Sequence, residues 1–228
     1  MHGLMHGIPI ALGYLSVSFG FGIMAVKSGL SPLEAAIISI TNLTSAGQAA
    51  GVSIIATGGS LFEMAVTQFV INIRYSLMSL SLSQKLDKSF SPLKRLIASY
   101  GITDEIFAVA SVQDGKLKPA YMYGMILIAF IGWVGGTCAG ALAGEFLPSI
   151  VTDAMGIVLY GMFLAIIIPP ARKNKSILFV ITIAAVISVI FKYVFTSVSS
   201  GFAVIISALI AAVLGALLFP VDDKEEEQ

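Results

Sequence analysis

Charged residues are scarce in this chain of 228 residues: 13 Lys plus Arg and 13 Asp plus Glu make up only 11% of it. Because a soluble domain carries about 25% charged residues, this composition excludes a soluble protein. Hydrophobic residues make up 57% of the chain, and mean hydropathy is +0.95. They form nearly continuous runs rather than the alternating pattern of a membrane β-barrel. The sequence therefore predicts an all-α integral membrane protein in a lipid bilayer, and its zero net charge suggests no nucleic-acid partner.

Cysteine and histidine are almost absent, which excludes several kinds of site. Cys138 is the only cysteine, so no intrachain disulfide can form and a thiolate metal site lacks ligands. His2 and His6 have no second ligand cluster, so we expect no metal and no cofactor. The sequence also lacks a Walker-type phosphate loop, an HExxH motif and a nucleophile elbow. We therefore expect that the chain is not an enzyme and does not use ATP by itself.

Seven apolar runs predict about seven helices across a hydrocarbon core about 30 Å thick. The predicted spans are Ile8–Val26, Leu33–Thr57, Leu61–Leu82, Pro119–Ala143, Ile150–Ile168, Ser176–Phe195 and Gly201–Phe219. We interpret residues 1–219 as a single polytopic membrane domain and residues 220–228 as a disordered acidic tail. Ser31-Pro32-Leu33-Glu34, ahead of the second span, predicts a capping box with proline in the first turn.

Lysine and arginine are concentrated in three loops, which orient the chain. They are Lys85, Lys88, Lys94 and Arg95; Lys116 and Lys118; and Arg172, Lys173 and Lys175. Basic loops stay in the cytoplasm, which predicts a cytoplasmic C-terminus and requires residues 96–113 to return to their own side. Tyr100-Gly101 breaks that segment, and Thr103 is a candidate N-cap, so we predict a broken, partly inserted helical segment. A true crossing there would invert the N-terminal half.

The two halves of the chain are faintly alike. Each has a Gly-rich span and a short loop, containing Leu30-Ser31-Pro32 or Leu147-Pro148-Ser149, followed by a second span. Three spans per half would place the copies in opposite orientations, the inverted repeat of many secondary transporters. Chance similarity is the alternative.

Arg74 lies deep in the third predicted span, close to Asn72. A guanidinium at such depth costs about 2.5–3.5 kcal/mol on insertion scales, so it needs a partner, water or a solute. One interpretation is a structural ion pair with Glu63 or with an acid of the Asp104-Glu105 segment. The other is direct contact with an anionic substrate group, since the planar fork of arginine matches a carboxylate. Snorkelling toward the basic loop is a third.

The second predicted span is rich in small and polar residues between Thr41 and Gly51. Such a run can unwind, and its freed backbone groups, Ser45, Gly47 and the Gln48 amide could then coordinate a zwitterion. Close helix packing through small residues explains the same composition. Together with Asn72 and Arg74, these residues are the candidate substrate-binding site.

Asp104 and Glu105 are the candidate residues for proton coupling or for binding a substrate ammonium group. Adjacent carboxylates repel each other, and desolvation adds to the upward pressure on at least one pKa. The alternatives are ordinary first-turn acids that compensate a helix dipole, or an ion pair with Arg74.

Glycines recur every four residues in the fourth predicted span. They are Gly132, Gly136, Gly140 and Gly144. This spacing makes a groove that lets another helix approach closely, so we predict a helix-packing face or a groove for a partner.

Several blocks, taken in order, resemble the AzlC family of branched-chain amino acid permeases. They are Gly20-Phe21-Gly22, Gly29-Leu30-Ser31-Pro32-Leu33-Glu34, Ser45-Ala46-Gly47-Gln48, Asn72-Ile73-Arg74-Tyr75 and Gly101-Ile102-Thr103-Asp104-Glu105-Ile106-Phe107-Ala108. The resemblance implies an exporter of leucine, isoleucine, valine and analogues in the bacterial inner membrane. It also implies a small hydrophobic AzlD-type subunit, for which the Gly132–Gly144 groove is a docking hypothesis.

One block departs from the family pattern. The family usually has an aromatic-Ala-Gly block followed by a Gln-Phe pair, whereas this chain reads Thr44-Ser45-Ala46-Gly47-Gln48-Ala49-Ala50. Smaller residues there could enlarge the pocket and change the substrate. The leading interpretation is a secondary transporter that exports small apolar amino acids, driven by protons or the membrane potential. A channel-like pore for another small apolar metabolite and a non-transporting membrane scaffold are the alternatives.

Overall fold

The structure, a computed structural model, describes residues 2–148, 150, 161, 164 and 167–220. Over these residues it contains helices and no strand. The helices are α1 (His2–Lys27), α2 (Pro32–Thr41), α3 (Ala46–Ala56), α4 (Leu61–Asn72), α5 (Arg74–Ser83), α6 (Pro92–Tyr100), α7 (Asp104–Ser111), α8 (Pro119–Phe146), α9 (Lys175–Tyr193) and α10 (Ser200–Leu218). Residues 167–173 are also helical. The predicted span Ile150–Ile168 lies mostly, and the predicted tail almost entirely, outside the described residues.

In the part of the chain that the structure describes, four helices are long and apolar enough to cross a membrane. Their spanning parts are His2–Lys27, Pro119–Gly144, Lys175–Tyr193 and Gly201–Leu218, and the apolar helices α2, α3 and α4 are shorter. The prediction of an all-α membrane protein is therefore confirmed, and the chain is a multi-pass membrane protein.

Two predicted spans are each broken into a pair of helices. Leu33–Thr57 loses its helix at residues 42–45, where the side chains of Asn42, Thr44 and Ser45 can bond to the backbone or to each other. The Thr44 hydroxyl donates to Asn42 Oδ1 at 2.6 Å, and Ser45 has a φ of 48°. Leu61–Leu82 is interrupted only at Ile73, whose φ of −57° and ψ of −28° remain helical. The unwinding considered for the run between Thr41 and Gly51 thus occurs, but only at residues 42–45, since α3 begins at Ala46.

The broken segment near residues 96–113 is confirmed. The helices α6 and α7 have 9 and 8 residues, too short to cross a bilayer at 1.5 Å per residue. The loops before and after them are joined, because Leu117 N–H donates to the Lys85 carbonyl at 2.8 Å and Asp87 N–H donates to the Leu117 carbonyl at 2.9 Å. The first two basic loops therefore lie on the same side, as predicted.

The chain divides into two compact units. One comprises residues 1–52 and 71–159, and the other residues 53–70 and 160–228. The boundaries fall within α3 and α4. These units do not coincide with the two sequence halves, and the inverted repeat stays a prediction.

The first unit is built on the pair α1 and α8. The glycines of α8 face α1: a Cβ on Gly132, Gly136 or Gly140 would collide with the α1 backbone at Ala11, Leu15 or Phe19. A Cβ on Gly144 would touch Ile23 at an ordinary 3.5 Å. The groove is therefore filled by α1 of the same chain, and a partner subunit needs another surface.

A glycine-to-alanine pair on α8 tests this packing. We expect Gly140→Ala to destabilise the protein by about 1–3 kcal/mol, because its methyl group must displace the backbone of Phe19. Gly135→Ala is the matched control, since a Cβ there meets nothing within 4 Å. Thermal unfolding of the purified proteins in detergent measures both. Equal melting temperatures for the two variants would contradict the close approach of α1 and α8.

Candidate functional site

An ion pair joins the first turns of α5 and α7. Arg74 opens α5, and its Nη1 lies 3.0 Å from Oδ2 of Asp104, the first residue of α7. The two side chains are 42% and 38% exposed, so the pair lies at an accessible surface of the first unit rather than in its core. Of the three interpretations considered for Arg74, the structure shows the ion pair with the acidic segment Asp104-Glu105.

The guanidinium has further partners, and one atom remains unused. Its Nη2 donates to the Tyr75 hydroxyl at 3.3 Å, and its Cζ lies 5.0 Å from the centre of the Tyr75 ring, within cation–π range. Its Nε is buried and has no hydrogen-bond partner among the described residues. Because a buried donor without a partner is costly, the Nε atom is available to a carboxylate that approaches the pair.

The neighbouring acid, Glu105, is held by a tyrosine that the sequence analysis missed. The Tyr14 hydroxyl, from α1, lies 2.5 Å from Glu105 Oε2 and 2.5 Å from Thr103 Oγ1. It has one proton, so it donates to the carboxylate and accepts from the Thr103 hydroxyl. Its ring packs edge-to-face on Trp133 of α8, with the ring centres 5.1 Å apart. A lone tyrosine in an apolar span needs a partner for its hydroxyl, and this need is the sequence signal from which Tyr14 could have been recognised.

The predicted N-cap of α7 is confirmed, and it sets the positions of both acids. Thr103 is extended, with a φ of −124° and a ψ of 172°, and its side chain accepts from the N–H of Ile106. Asp104 and Glu105 therefore lie in the first turn, where the helix dipole favours negative charge. The helix α7 is too short to span the membrane. Burial raises the pKa of the Asp104 carboxyl, and the charge of Arg74 opposes this rise.

The break between α2 and α3 is held by Gln48. Its amide carbonyl accepts from the Ser45 N–H at 3.3 Å, and its amide NH₂ donates to Ser39 Oγ at 3.0 Å. Ser39 Oγ lies 2.7 Å from Thr137 Oγ1 of α8, and Gln48 is only 1% exposed. The amide predicted to contact substrate therefore braces the unwound turn in this structure. Ser39 and Thr137 were missed, since single hydroxyls in apolar helices usually bond to their own backbone.

The other predicted substrate residues lie close to the two interruptions. Ser45 Oγ is buried without a partner among the described residues, whereas Gly47 N–H donates to the Thr44 carbonyl at 3.2 Å. Asn72 ends α4, two residues before Arg74, and is half-buried. Ser45 therefore presents an unused polar atom at the first interruption.

The break of α2 and the segment α6–α7 are brought together by one apolar cluster. Leu43, from the unwound turn, is buried in the same cluster as Tyr14, Ile102 and Ile106. The Tyr100 hydroxyl, at the end of α6, donates to the Ile40 carbonyl near the end of α2. The first unit thus packs the break after α2 and the α6–α7 segment on one apolar cluster.

These features define a class of protein. The chain is a multi-pass helical membrane protein whose short helices end at polar breaks and present an accessible pair of opposite charges, an arrangement that membrane transporters use for their binding sites. The family model described as AzlC protein matches residues 9–147, more than half of the chain. The chain belongs to the AzlC family, which is of the membrane permease type.

Two relatives agree with this assignment. Inner membrane protein YgaZ of Escherichia coli strain K12 is 29% identical over 185 residues, which cover 78% of this chain and 75% of the relative. An uncharacterized membrane protein of Archaeoglobus fulgidus is 32% identical over 169 residues, which cover 73% of this chain and 74% of the relative. No solved structure gives a significant match.

The contact between Tyr14 and Glu105 can be measured by removing one hydroxyl. We expect Tyr14→Phe to cost about 1.5–3 kcal/mol of stability, because it leaves a part-buried carboxylate without its donor. Tyr123→Phe is the control: it also removes one tyrosine hydroxyl, which donates to the Lys94 carbonyl at an exposed position. Chemical unfolding in mixed micelles compares the two. A cost for Tyr14→Phe no larger than that of the control would mean that the contact contributes little.

Proposed function

We propose that this protein is the large subunit of a secondary transporter that exports branched-chain amino acids and their analogues from the bacterial cytoplasm. In this proposal it lies in the cytoplasmic membrane, with its basic loops and C-terminus inside. Membership of the AzlC family supports the transporter class. The branched-chain substrate is what the resemblance to this family implies, and the groups of the site suit an α-amino acid.

The observation that carries the proposal is the pair Arg74–Asp104. An α-amino acid has a carboxylate and an ammonium group on one carbon, so it offers Arg74 an anion and Asp104 a cation at the same time. The two side chains are only 3.0 Å apart and are both part-exposed. Ion pairs of this exposure contribute about 0–1 kcal/mol in water, so a zwitterion can separate them at little cost.

In this proposal, the aliphatic side chain of the substrate contacts the apolar cluster on which α7 packs, whose members are buried in this structure. Leu43, Ile102 and Ile106 belong to the cluster on which α7 packs. Burial of a leucine or valine side chain is worth about 1.5–3 kcal/mol. Because one methylene changes binding by about 1–3 kcal/mol, such a surface favours aliphatic amino acids as a group and separates close homologues weakly.

We propose that Asp104 and Glu105 also carry the response to a proton gradient or to the membrane potential. The raised pKa of Asp104 brings its protonation closer to physiological pH. Glu105 is tied to Tyr14 and can follow a movement of α1. In this proposal, the gradient acts on transport by changing the ion-pair and hydrogen-bond partners of Asp104 and Glu105 at the first turn of α7.

We further propose a small hydrophobic AzlD-type partner subunit. The glycine face of α8 is filled by α1, so the partner needs another apolar surface. The helix α9 offers one, since none of its residues is buried against the described part of the chain. Lipid occupies the same surface when the partner is absent.

Efflux from preloaded vesicles tests the site. We expect Arg74→Ala and Asp104→Asn to reduce saturable efflux of radiolabelled leucine by about 100-fold or more, since loss of a charge-assisted contact leaves the opposite charge unpaired. Arg95→Ala is the control, because it removes an arginine from α6 outside the ion pair. The vesicles contain this chain with and without an AzlD-type subunit, and the measurement is made with and without a proton gradient.

A charge swap separates a structural pair from a binding site. If the pair only holds α5 against α7, the double variant Arg74→Asp with Asp104→Arg restores both stability and efflux. If the pair binds the substrate, the double variant recovers stability but not efflux. Normal efflux in both single variants would refute the site, and flux without saturation would favour a channel. Efflux that is absent from the wild-type complex while assembly is intact would favour the scaffold.

A further inference from the structure

Glu63, in the second unit, is a buried acid that the proposed site does not use. Its exposure is 4%, although it lies in the first turn of the apolar helix α4. Ser60 Oγ accepts the Glu63 N–H at 3.1 Å, which is half of a capping box. In the complete box of α2, Glu34 Oε2 accepts the Ser31 N–H at 2.7 Å. The Glu63 carboxylate instead accepts hydrogen bonds from the start of another helix.

The carboxylate is held by the start of another helix of the same unit. Glu63 Oε1 accepts from the Ser199 hydroxyl at 2.6 Å and from the Gly201 N–H at 3.0 Å. These donors lie at the N-terminus of α10, where the helix dipole favours an anion. Among the described residues, no lysine, arginine or histidine forms a salt bridge with Glu63. Its charge therefore depends on those two hydrogen bonds.

A second observation points to a ligand at this acid. Thr67, one turn further along α4, is fully buried, and its Oγ1 has no hydrogen-bond partner in the described part of the chain. A Cβ on Gly201 would lie 2.5 Å from Glu63 Oε1 and 2.8 Å from Thr67 Oγ1, so both oxygens face the same backbone atom. A carboxylate only accepts hydrogen bonds, whereas a protonated carboxyl can donate one to a hydroxyl such as that of Thr67.

The space around Glu63 favours a proton over a larger cation. Gly201 closely covers Oε1, and a Cβ on Gly59 would lie 3.0 Å from Oε2. The N–H of Gly201 points at the carboxylate and would repel a metal ion. The residues whose contacts with Glu63 or with its donor Gly201 are shown, Gly59, Ser60, Thr67, Ser199 and Gly201, carry no titratable group.

We infer that Glu63 is a proton-binding site, ionised while Ser199 and Gly201 hold it and protonated when the N-terminus of α10 moves away. An ion without donors is so unfavourable in an apolar environment that the group takes a proton instead. The acid then exchanges its two donors on α10 for Thr67 as acceptor. The use of this proton site in transport rests on the proposed function, whereas the existence of the site does not.

Infrared difference spectroscopy on the purified protein tests the proton site without any substrate. On acidification, a protonated carboxyl that is shielded from water gives a C=O stretching band at higher frequency than hydrated acids do. We expect Glu63→Gln to lose this band and Glu34→Gln, the exposed capping-box acid, to keep it. Thr67→Val keeps the acid but removes its acceptor, so its band moves to still higher frequency. A spectrum of Glu63→Gln that matches the wild type would overturn the inference.

Transport tests the coupling separately. Coupling to one proton supports accumulation of about tenfold for each pH unit across the membrane. We expect Glu63→Gln to lose gradient-driven leucine accumulation in proteoliposomes and Glu34→Gln to retain it. The coupling role would be overturned if leucine flux through both variants responded to the proton gradient as wild-type flux does. It would also be overturned if transport required sodium ions. A shielded-carboxyl band without flux in the wild type would support the proton site and refute the proposed exporter.

Discussion

Inside a bilayer, the polar backbone groups at every interrupted helix must find partners within the protein, and this requirement organises the first unit. The interruption after α2 is bridged by Gln48, and the carbonyl of Ile40 accepts from Tyr100 of another helix. The turn before α7 is capped by Thr103, whose hydroxyl also meets Tyr14. Each break is therefore stabilised by an element distant in sequence, which ties the breaks to one another.

The same requirement explains where the charges lie. Helix starts present unsatisfied N–H groups and a positive dipole end, so acids are favourable there even in apolar surroundings. Asp104 and Glu105 occupy the first turn of α7, and Glu63 lies at the starts of both α4 and α10. Arg74 is tolerated because Asp104 is close to it. The few charges of this apolar chain are thus concentrated where helices begin, and the same places offer binding groups to a polar solute.

Much of the fold could be predicted from the sequence, because its signals are local. The scarcity of charge, the length of the apolar runs, the capping box at Ser31 and the N-cap at Thr103 depend on neighbouring residues alone, and the structure agrees with them. The positions of the basic loops also sufficed to predict that residues 96–113 return to their own side, as the pairing of Lys85 and Asp87 with Leu117 confirms.

The site was less predictable, because its contacts join distant residues. Tyr14 and Glu105 are 91 positions apart, and Ser39 and Thr137 are 98 apart, so no local pattern marks them. Gln48 could be recognised as polar and buried, but whether its amide faces a solute or a neighbouring serine depends on the tertiary packing. The direction of the Glu63 side chain is a similar case, since the same Ser-x-x-Glu spacing closes a box at Ser31 and stays open at Ser60.

The interlocked backbones of α1 and α8 limit how this molecule can move. Where glycine lets two helices meet backbone against backbone, sliding or rotation requires separating them, so we expect α1 and α8 to move as one rigid body. Within the first unit, displacement relative to this pair is then left to the short helices, whose breaks act as joints. The distance between a probe on α1 and a probe on α8 is thus a constant internal reference, relative to which displacements of α5 and α7 can be measured.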